Sequence, residues 1–243
     1  MRHVKIARYS YQGAIAFGIV DDDELVVLTS DPMFAGFDTT GDRVALADVK
    51  LLAPVIPRSK IVAMVSAEAF VLRPNTAVVG PGDAIVLPTA SDRVEVDGQL
   101  AIIIGKIAKN VSTADALGRV FGYTVATVVT AADLASATRA GAFDTFLPLG
   151  PIIETEFDEA ATGLRGLIND EEFQAVELDD DDRTTEDVVA ALVSFASTAF
   201  TLLPGDVILA GALDTAAAVV EGDSVSISIA GIGTLLNPVV RSA

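Results

Sequence analysis

Two oxygen-bearing side chains separated by one glycine are the first candidates for chemistry in this sequence. Asp97 and Gln99 flank Gly98. On an extended chain alternate side chains point to the same side, so both could present oxygen atoms to one place. Gly98 would let a ligand approach the backbone closely, and paired oxygen ligands suit a hard cation such as Mg²⁺. The same triplet is common in hairpin turns, and taken alone the turn is the better interpretation.

The surrounding pattern indicates the elements that would position these residues. Residues 91–105 form a polar segment that runs into an apolar strand, and residues 123–130 are rich in β-branched side chains, which predicts a buried strand. Thr184 or Thr185 is a suitable N-cap for a helix, because apolar residues recur after it at helical spacing. Residues 225–229 alternate as a half-buried strand does.

Composition excludes several classes of partner. The chain has 243 residues, with 16 Lys and Arg against 34 Asp and Glu, which gives a formal net charge of −18. Such an acidic protein is unsuited to nucleic acid or to an anionic membrane surface, since phosphate groups require clustered cations. No apolar run approaches the roughly 18 residues of a membrane span, and the N-terminus lacks the apolar region of a signal peptide. We therefore expect a cytoplasmic protein that binds neither nucleic acid nor membrane.

Cysteine and histidine usage narrows the possible catalytic groups. The chain contains no cysteine, which excludes a disulfide framework and a thiol nucleophile. Its one histidine, His3, falls in a predicted first strand, where a structural or surface role is expected.

The positions of two prolines predict that the chain divides into two regions. Residues 1–57 carry short β-like runs and form a small N-terminal β domain, with Pro54 and Pro57 marking its end. Residues 58–243 form the second, larger domain.

Seven sequence runs in a fixed order resemble one known family. They are LADVKLLAP (46–54), FVLRP (70–74), VGPGDAIVLP (79–88), GYTVA (122–126), FDTFLPLGP (143–151), LLPGDVIL (202–209) and GIGTLLNP (231–238). They make the chain similar to the fumarylacetoacetate hydrolase family over nearly its whole length. The resemblance implies an α+β, mainly β fold, in which a mixed β-roll domain follows a small N-terminal β domain. It also implies a dimer, either of identical chains or with a paralogue of the family.

The resemblance implies the active site of the family, and this sequence departs from that site at several positions. Active members hold a divalent cation with carboxylates and use a histidine-based acid/base system on 2-oxo acid or diketo substrates. The family's Glu-Gly-Glu pair falls on Asp97 and Gln99. The histidine before that pair falls on Val96, and the third carboxylate falls on Val128.

Further family positions have also changed. The lid and its catalytic histidine have no counterpart between Val65 and Phe70, and Arg73 stands where the family has lysine. The arginine of a Thr-Ala-Arg-Asp run falls on Ala132, directly before the retained Asp133. A family lysine falls on Gly141, and the Gly-Thr-Pro turn that holds substrate falls on residues 211–213.

These replacements predict a mostly apolar pocket without a strong metal site. One carboxylate and one amide should bind Mg²⁺ only weakly, so no cofactor is expected beyond a weak remnant magnesium site at Asp97 and Gln99. The predicted pocket residues are Val65, Arg73, Val96, Asp97, Gln99, Val128, Ala132, Asp133, Gln174 and Leu213.

Three functional hypotheses follow, and the sequence leaves them open. In the first, the pocket is a repurposed, metal-independent small-molecule site that cyclises or rearranges an apolar, polyketide-like ligand by positioning. In the second, the chain is an inactive partner of an active paralogue. In the third, it is a residual magnesium-dependent hydrolase, decarboxylase or isomerase of a 2-oxo acid.

Overall fold

The computed structural model describes residues 3–66, 68–156, 163–178, 184–211 and 215–242. One predicted pocket residue, Leu213, lies outside the described residues. The strands before residue 57 are β1 (Lys5–Tyr11), β2 (Ala14–Asp21), β3 (Glu24–Leu28), β4 (Thr39–Ala45) and β5 (Lys50–Leu51), with helix α1 (Pro32–Ala35) between β3 and β4.

The rest of the described chain is also mostly β-structure. Its strands are β6 (Ile61–Ser66), β7 (Ala69–Arg73), β8 (Val78–Val79), β9 (Ile85–Leu87), β10 (Val94–Ile104), β11 (Val120–Ala131), β12 (Leu147–Glu154), β13 (Gly163–Ile168), β14 (Glu171–Glu177), β15 (Val207–Leu209), β16 (Ala217–Val219), β17 (Ser224–Ile229) and β18 (Gly233–Arg241). Its helices are α2 (Thr113–Ala116), α3 (Ala137–Ala140) and α4 (Thr185–Ala199). The predicted mainly β class is confirmed.

Two sheets make up the fold. The larger has the order β4-β3-β2-β1-β12-β11-β10-β15-β6-β7, with β16 beside β10, β5 beside β1 and β8 beside β12. The smaller has the order β14-β13-β17-β18-β9. Strands β1–β4 join the larger sheet because Lys5 and Ile6 pair with Glu154 and Ile153. The boundary at residue 57 stays a prediction.

His3 reinforces that junction. Its Nδ1 lies 2.8 Å from Glu154 Oε1, and the Glu154 side chain is buried. Burial raises the pKa of this carboxyl, while the nearby His3 and Lys5 act in the opposite direction. A structural role for the histidine is consistent with this contact.

The two longest strands, β10 and β11, form the centre of the molecule. One face of β10 packs between the sheets through Leu100, Ile102 and Ile104, and its other face is covered through Ala101 and Ile103. A strand buried on both faces must be apolar nearly throughout, which explains the continuous apolar runs. The predicted strand at 123–130 is confirmed as part of β11.

Helix α4 begins as the sequence indicates. Thr184 is its N-cap, and the side chains of Thr184 and Asp187 bond reciprocally to each other's backbone N–H. Its apolar side packs against the core through residues that include Val189 and Val193. Among the described residues no helix is long and apolar enough to cross a membrane.

Candidate functional site

Asp97, Gly98 and Gln99 lie in the interior of β10, not in a turn. They pair with Val128, Thr127 and Ala126 of β11 in unbroken antiparallel register. The hairpin-turn interpretation of this triplet is therefore wrong. The apolar residues on both sides favour an extended strand, and a glycine inside a strand often marks a close approach by another group.

Gln174 makes that close approach. β16 pairs with β10 only at Val94–Val96, and β15 pairs with it only at Ala101–Ile103, so Gly98 lies between the two partners. Gly98 N–H donates to Gln174 Oε1 at 2.8 Å, and Gln174 Nε2 donates to Gly98 O at 3.1 Å. The amide thus pairs with both backbone groups, as a neighbouring strand would.

Only glycine fits at position 98. A Cβ atom there would lie 2.7 Å from Ile227 Cγ2 and 2.8 Å from Gln174 Oε1. Any larger residue would force the side chains of Ile227 and Gln174, which belong to the smaller sheet, to shift.

The Asp97 carboxylate is held by side-chain amides. Gln99 Nε2 donates to Oδ2 at 2.7 Å, and Gln174 Nε2 donates to Oδ1 at 3.1 Å. Thr215 Oγ1 lies 3.5 Å from Oδ1 and can donate to it. Gln99 Oε1 in turn accepts the N–H of Gly211 at 3.2 Å. These partners fix the orientation of the Gln99 amide, because Asp97 requires a donor and Gly211 requires an acceptor.

The oxygen atoms around Asp97 are occupied by hydrogen bonds. Hard cations need several oxygen ligands directed at one point, yet the oxygens of Asp97 and Gln99 face N–H donors. The third family position, Val128, carries no oxygen in its side chain. Within the described ranges, no three His, Cys, Asp or Glu side chains are grouped so as to hold a metal ion.

Arg73 is a buried cation near these residues, with 8% of its surface exposed. Its Nη1 donates to the carbonyls of Val129 and Phe146 at 2.8 and 3.2 Å, and its Nη2 donates to Thr130 Oγ1 at 3.3 Å. Its Nε has no hydrogen-bond partner in the described structure. Burial lowers the pKa of Arg73 to about 10. The guanidinium is thus held by carbonyls, with donor capacity left over.

The curvature of the larger sheet brings Arg73 to this position. Three strands, β6, β15 and β10, separate β7 from β11 in the sheet order. At a strand spacing of about 4.8 Å, a flat sheet would hold β7 roughly 19 Å from β11. Arg73 on β7 nevertheless contacts Val129 on β11. The sheet therefore curls, and the cavity lies on the inside of the curl.

Gly141 provides the space for the guanidinium. A Cβ atom at this position would lie 2.6 Å from Arg73 Cζ. The family lysine that the resemblance places here could not coexist with Arg73 in this conformation. Arginine at 73 and glycine at 141 are thus sterically linked.

The cavity has a volume of about 260 Å³ and contains six of the predicted residues. It is lined by Ala63, Met64, Val65, Val71, Arg73, Glu95, Val96, Asp97, Gln99, Val128, Thr130, Ala137 and Ala216. Glu95 and Thr130 were not singled out by the sequence. The alternation of a strand could have identified Glu95, which precedes Asp97 by two residues.

Three predicted residues lie outside the lining. Gln174 supports Asp97 from the smaller sheet. Ala132 and Asp133 lie just beyond β11, where the Asp133 carboxylate accepts hydrogen bonds from Ser91 Oγ and from Asp92 N–H. These bonds lower the pKa of Asp133, the Ser91 bond most strongly. The hydrogen bonds from Ser91 and Asp92 to Asp133 close the end of the β10–β11 ladder.

A second, larger cavity of about 420 Å³ lies elsewhere, beside β1 and β2. It is lined by Arg8 and Asp31 and by exposed apolar side chains such as Ile15 and Phe34. The smaller cavity is the candidate site, because it contains the buried cation and the amide-held carboxylate.

Comparison with known proteins agrees with this architecture. The family described as "Fumarylacetoacetate (FAA) hydrolase C-terminal" matches residues 48–240, and "Rv2993c-like, N-terminal" matches residues 4–54. Protein Rv2993c of Mycobacterium tuberculosis is 36% identical, with 98% of each chain covered.

Two solved structures are also similar. One is 2-hydroxyhepta-2,4-diene-1,7-dioate isomerase from Mycobacterium marinum, with 37% identity, 99% coverage of both chains and a TM-score of 0.89. The other is maleylpyruvate hydrolase from Sphingobium sp. SYK-6 in complex with manganese(II) ion and pyruvate, with 28% identity and a TM-score of 0.81. That comparison covers 98% of this chain and 100% of the other. Because the family match spans most of the sequence, the chain belongs to the fumarylacetoacetate hydrolase family.

Proposed function

We propose that this chain binds a compact carboxylate with a short apolar tail, without a metal ion, and rearranges it inside the cavity. The observation that carries the proposal is Arg73, a buried guanidinium that lines an apolar-walled cavity. None of the ion pairs among the described residues involves it. A planar guanidinium with unused donors matches a carboxylate, and a bound anion would offset the cost of the buried charge.

The cavity size limits the ligand. A volume of about 260 Å³ is slightly below the usual 300–1,000 Å³ or so of sites for drug-sized molecules. A short 2-oxo acid or unsaturated carboxylate suits this space better than a long polyketide-like molecule. The walls formed by Val65, Val71 and Val128 would receive the tail.

We take the reaction class from the relatives and from the hydrogen-bond donors of Arg73. One relative is an isomerase, and another was crystallised with pyruvate. Isomerisation needs only the transfer of a proton and the stabilisation of a transient negative charge, and a cation such as Arg73 can stabilise that charge. A degenerate metal site is part of this proposal, and it rests on the amides that occupy the Asp97 oxygens.

Calorimetric titration with 4-methyl-2-oxopentanoate tests the proposal. We expect binding in the presence of EDTA and much weaker binding of 4-methyl-2-pentanone, which lacks the carboxylate. Arg73→Met should weaken the acid about 10- to 100-fold, the typical loss for a charged hydrogen-bond partner. Arg165→Met is the matched control, because Arg165 is an exposed residue that pairs with Glu172.

The other two hypotheses predict different results. Binding that is abolished by EDTA and restored by Mg²⁺ would favour a residual metal-dependent enzyme. Absence of binding by the wild-type chain would contradict the proposed site and favour an inactive partner of a paralogue.

A further inference from the structure

Glu95 brings a second carboxylate into the candidate cavity. It precedes Asp97 by two residues on β10, so both side chains leave the same face of the strand. Both residues line the cavity together with Arg73. The Glu95 side chain is 19% exposed, which leaves it in contact with solvent at the edge of the site.

The two carboxylates differ in what holds them. Asp97 is 5% exposed and accepts hydrogen bonds from the amides of Gln99 and Gln174. Glu95 forms an ion pair with Arg93, whose side chain is 67% exposed. Ion pairs with exposed arginine side chains contribute little to stability. Glu95 can therefore exchange this partner for a ligand more easily than Asp97 can leave its two amides.

Glu95 also lines the same cavity as the cation without pairing with it. Its Cα partner across the β10–β11 ladder is Thr130, and Thr130 Oγ1 accepts the hydrogen bond from Arg73 Nη2. Neighbouring positions across a ladder bring side chains within reach of each other. No ion pair within 4.0 Å joins Arg73 to Glu95, so the opposite charges face one cavity as separate groups.

We propose that Glu95 is the proton-transferring catalytic residue of this site, an inference that rests on the proposed binding of a carboxylate by Arg73. The Glu95 carboxylate takes a proton from the carbon next to the ligand's carbonyl group. The electron pair of that C–H bond forms a C=C bond, and the carbonyl oxygen gains the negative charge, which Arg73 stabilises. The Glu95 carboxyl group then returns the proton to the oxygen or to carbon. Return of the proton to the oxygen gives the enol isomer, whereas return to the same carbon regenerates the keto acid with exchange of its hydrogen. No oxidant or reductant is consumed in either case.

Proton exchange in D₂O tests this role with the 243-residue chain. ¹H NMR follows the loss of the C3 protons of 4-methyl-2-oxopentanoate, and calorimetry measures its Kd separately. We expect Glu95→Gln to slow the enzyme-dependent exchange about 10²- to 10⁴-fold, the usual contribution of a general base, with a Kd within about threefold of wild type. Glu95→Asp should retain part of the rate. Glu172→Gln, which removes the charge from an exposed Arg–Glu pair, should exchange at the wild-type rate.

The pH profile distinguishes proton transfer from a structural effect. The wild-type exchange rate should rise with pH along a limb set by one carboxyl group, and Glu95→Gln should lose that limb. The charged groups that face Glu95 are Arg93 beside it, Asp97 on its own strand and Arg73 across the cavity.

Other outcomes separate this inference from the proposed function. If wild type does not bind the acid, the proposed function fails and the role of Glu95 fails with it. If wild type binds through Arg73 but does not accelerate exchange, the binding site stands and the role of Glu95 is overturned. Exchange at the wild-type rate in Glu95→Gln would overturn it as well, and loss of exchange only in Asp97→Asn would assign proton transfer to Asp97.

Discussion

Gln174 pairs with Gly98 through both of its amide atoms, at 2.8 Å from the glycine N–H and 3.1 Å to its carbonyl oxygen. The same Nε2 also reaches Asp97 Oδ1 at 3.1 Å. One side chain of the smaller sheet therefore completes the backbone pairing of the larger sheet and orients the carboxylate of the candidate site. Stability and site geometry depend on the same residue.

Replacing Gln174 should destabilise the fold. Gln174→Leu leaves the buried N–H and C=O of Gly98 without the amide that pairs with them, and it removes one amide donor from Asp97 Oδ1. Unsatisfied buried groups cost about 1–3 kcal/mol each, so the two backbone groups of Gly98 predict a loss of about 2–6 kcal/mol in the free energy of unfolding. Urea denaturation measures it. Glu172→Leu is the control on the same strand, because Glu172 is exposed, and it should change stability little. Equal stability of the two variants would contradict the role of Gln174.

Adding one methyl group at Gly141 should displace the Arg73 guanidinium. The new Cβ would lie 2.6 Å from Arg73 Cζ, and the backbone of Gly141, with φ of −105°, accepts alanine without strain. We expect Gly141→Ala to cost about 1–3 kcal/mol by overpacking and to weaken carboxylate binding as Arg73→Met does. Thermal unfolding and calorimetry measure the two effects.

Gly118→Ala is the matched control for Gly141→Ala. A Cβ atom at position 118 meets nothing within 4 Å, so neither stability nor ligand affinity should fall. If both alanine variants bind the carboxylate equally well, the steric link between Gly141 and Arg73 does not affect ligand binding.

Restoring the carboxylates should restore metal affinity. Asp97 and Val128 are partners across the ladder and line the same cavity, so the double variant Gln99→Glu and Val128→Asp places three carboxylates together. We expect wild type to bind Mn²⁺ with a Kd weaker than about 1 mM, and the double variant to bind at least tenfold more tightly.

Calorimetric titration with Mn²⁺ measures this gain, and Gln99→Glu alone should lie between the two. Micromolar binding by wild type that is lost in Asp97→Ala would show that the amides around Asp97 do not prevent metal binding.

Carboxylate binding should be insensitive to pH around neutrality. Burial lowers the pKa of Arg73 to about 10, and the group remains protonated below that value. Affinity should therefore be constant from pH 6 to 9 or so and fall as the pH rises through about 10, where the cation is lost. In Arg73→Lys the buried amine starts from a lower pKa, so its affinity should fall at lower pH. Titrations at several pH values compare the two proteins.

The effect of Arg73 on stability has the opposite sign. Because its pKa is lower in the folded chain, the unfolded chain binds more protons over the pH interval that begins near 10 and ends at the ordinary pKa of arginine. The contribution of this group to the free energy of unfolding therefore increases with pH across that interval.

Much of the fold could be predicted from local sequence. The β-branched run at 123–130 indicated a buried strand, and Thr184 indicated the start of helix α4, because strand burial and helix capping depend on neighbouring residues. The ordered family motifs carried the overall architecture, which the two sheets confirm. The sequence also placed Arg73, Asp97, Gln99 and Val128 at one site through the resemblance, and all four line the cavity.

Tertiary structure decided the chemistry of that site. Whether Asp97 faces a cation or an amide depends on Gln174, which lies 77 residues away in the chain and arrives from another sheet. Whether Arg73 reaches β11 depends on the curl of the larger sheet and on the missing side chain at Gly141. Local sequence patterns indicate which residues are buried. The partner that each buried polar group meets is set by long-range packing, which no single stretch of sequence contains.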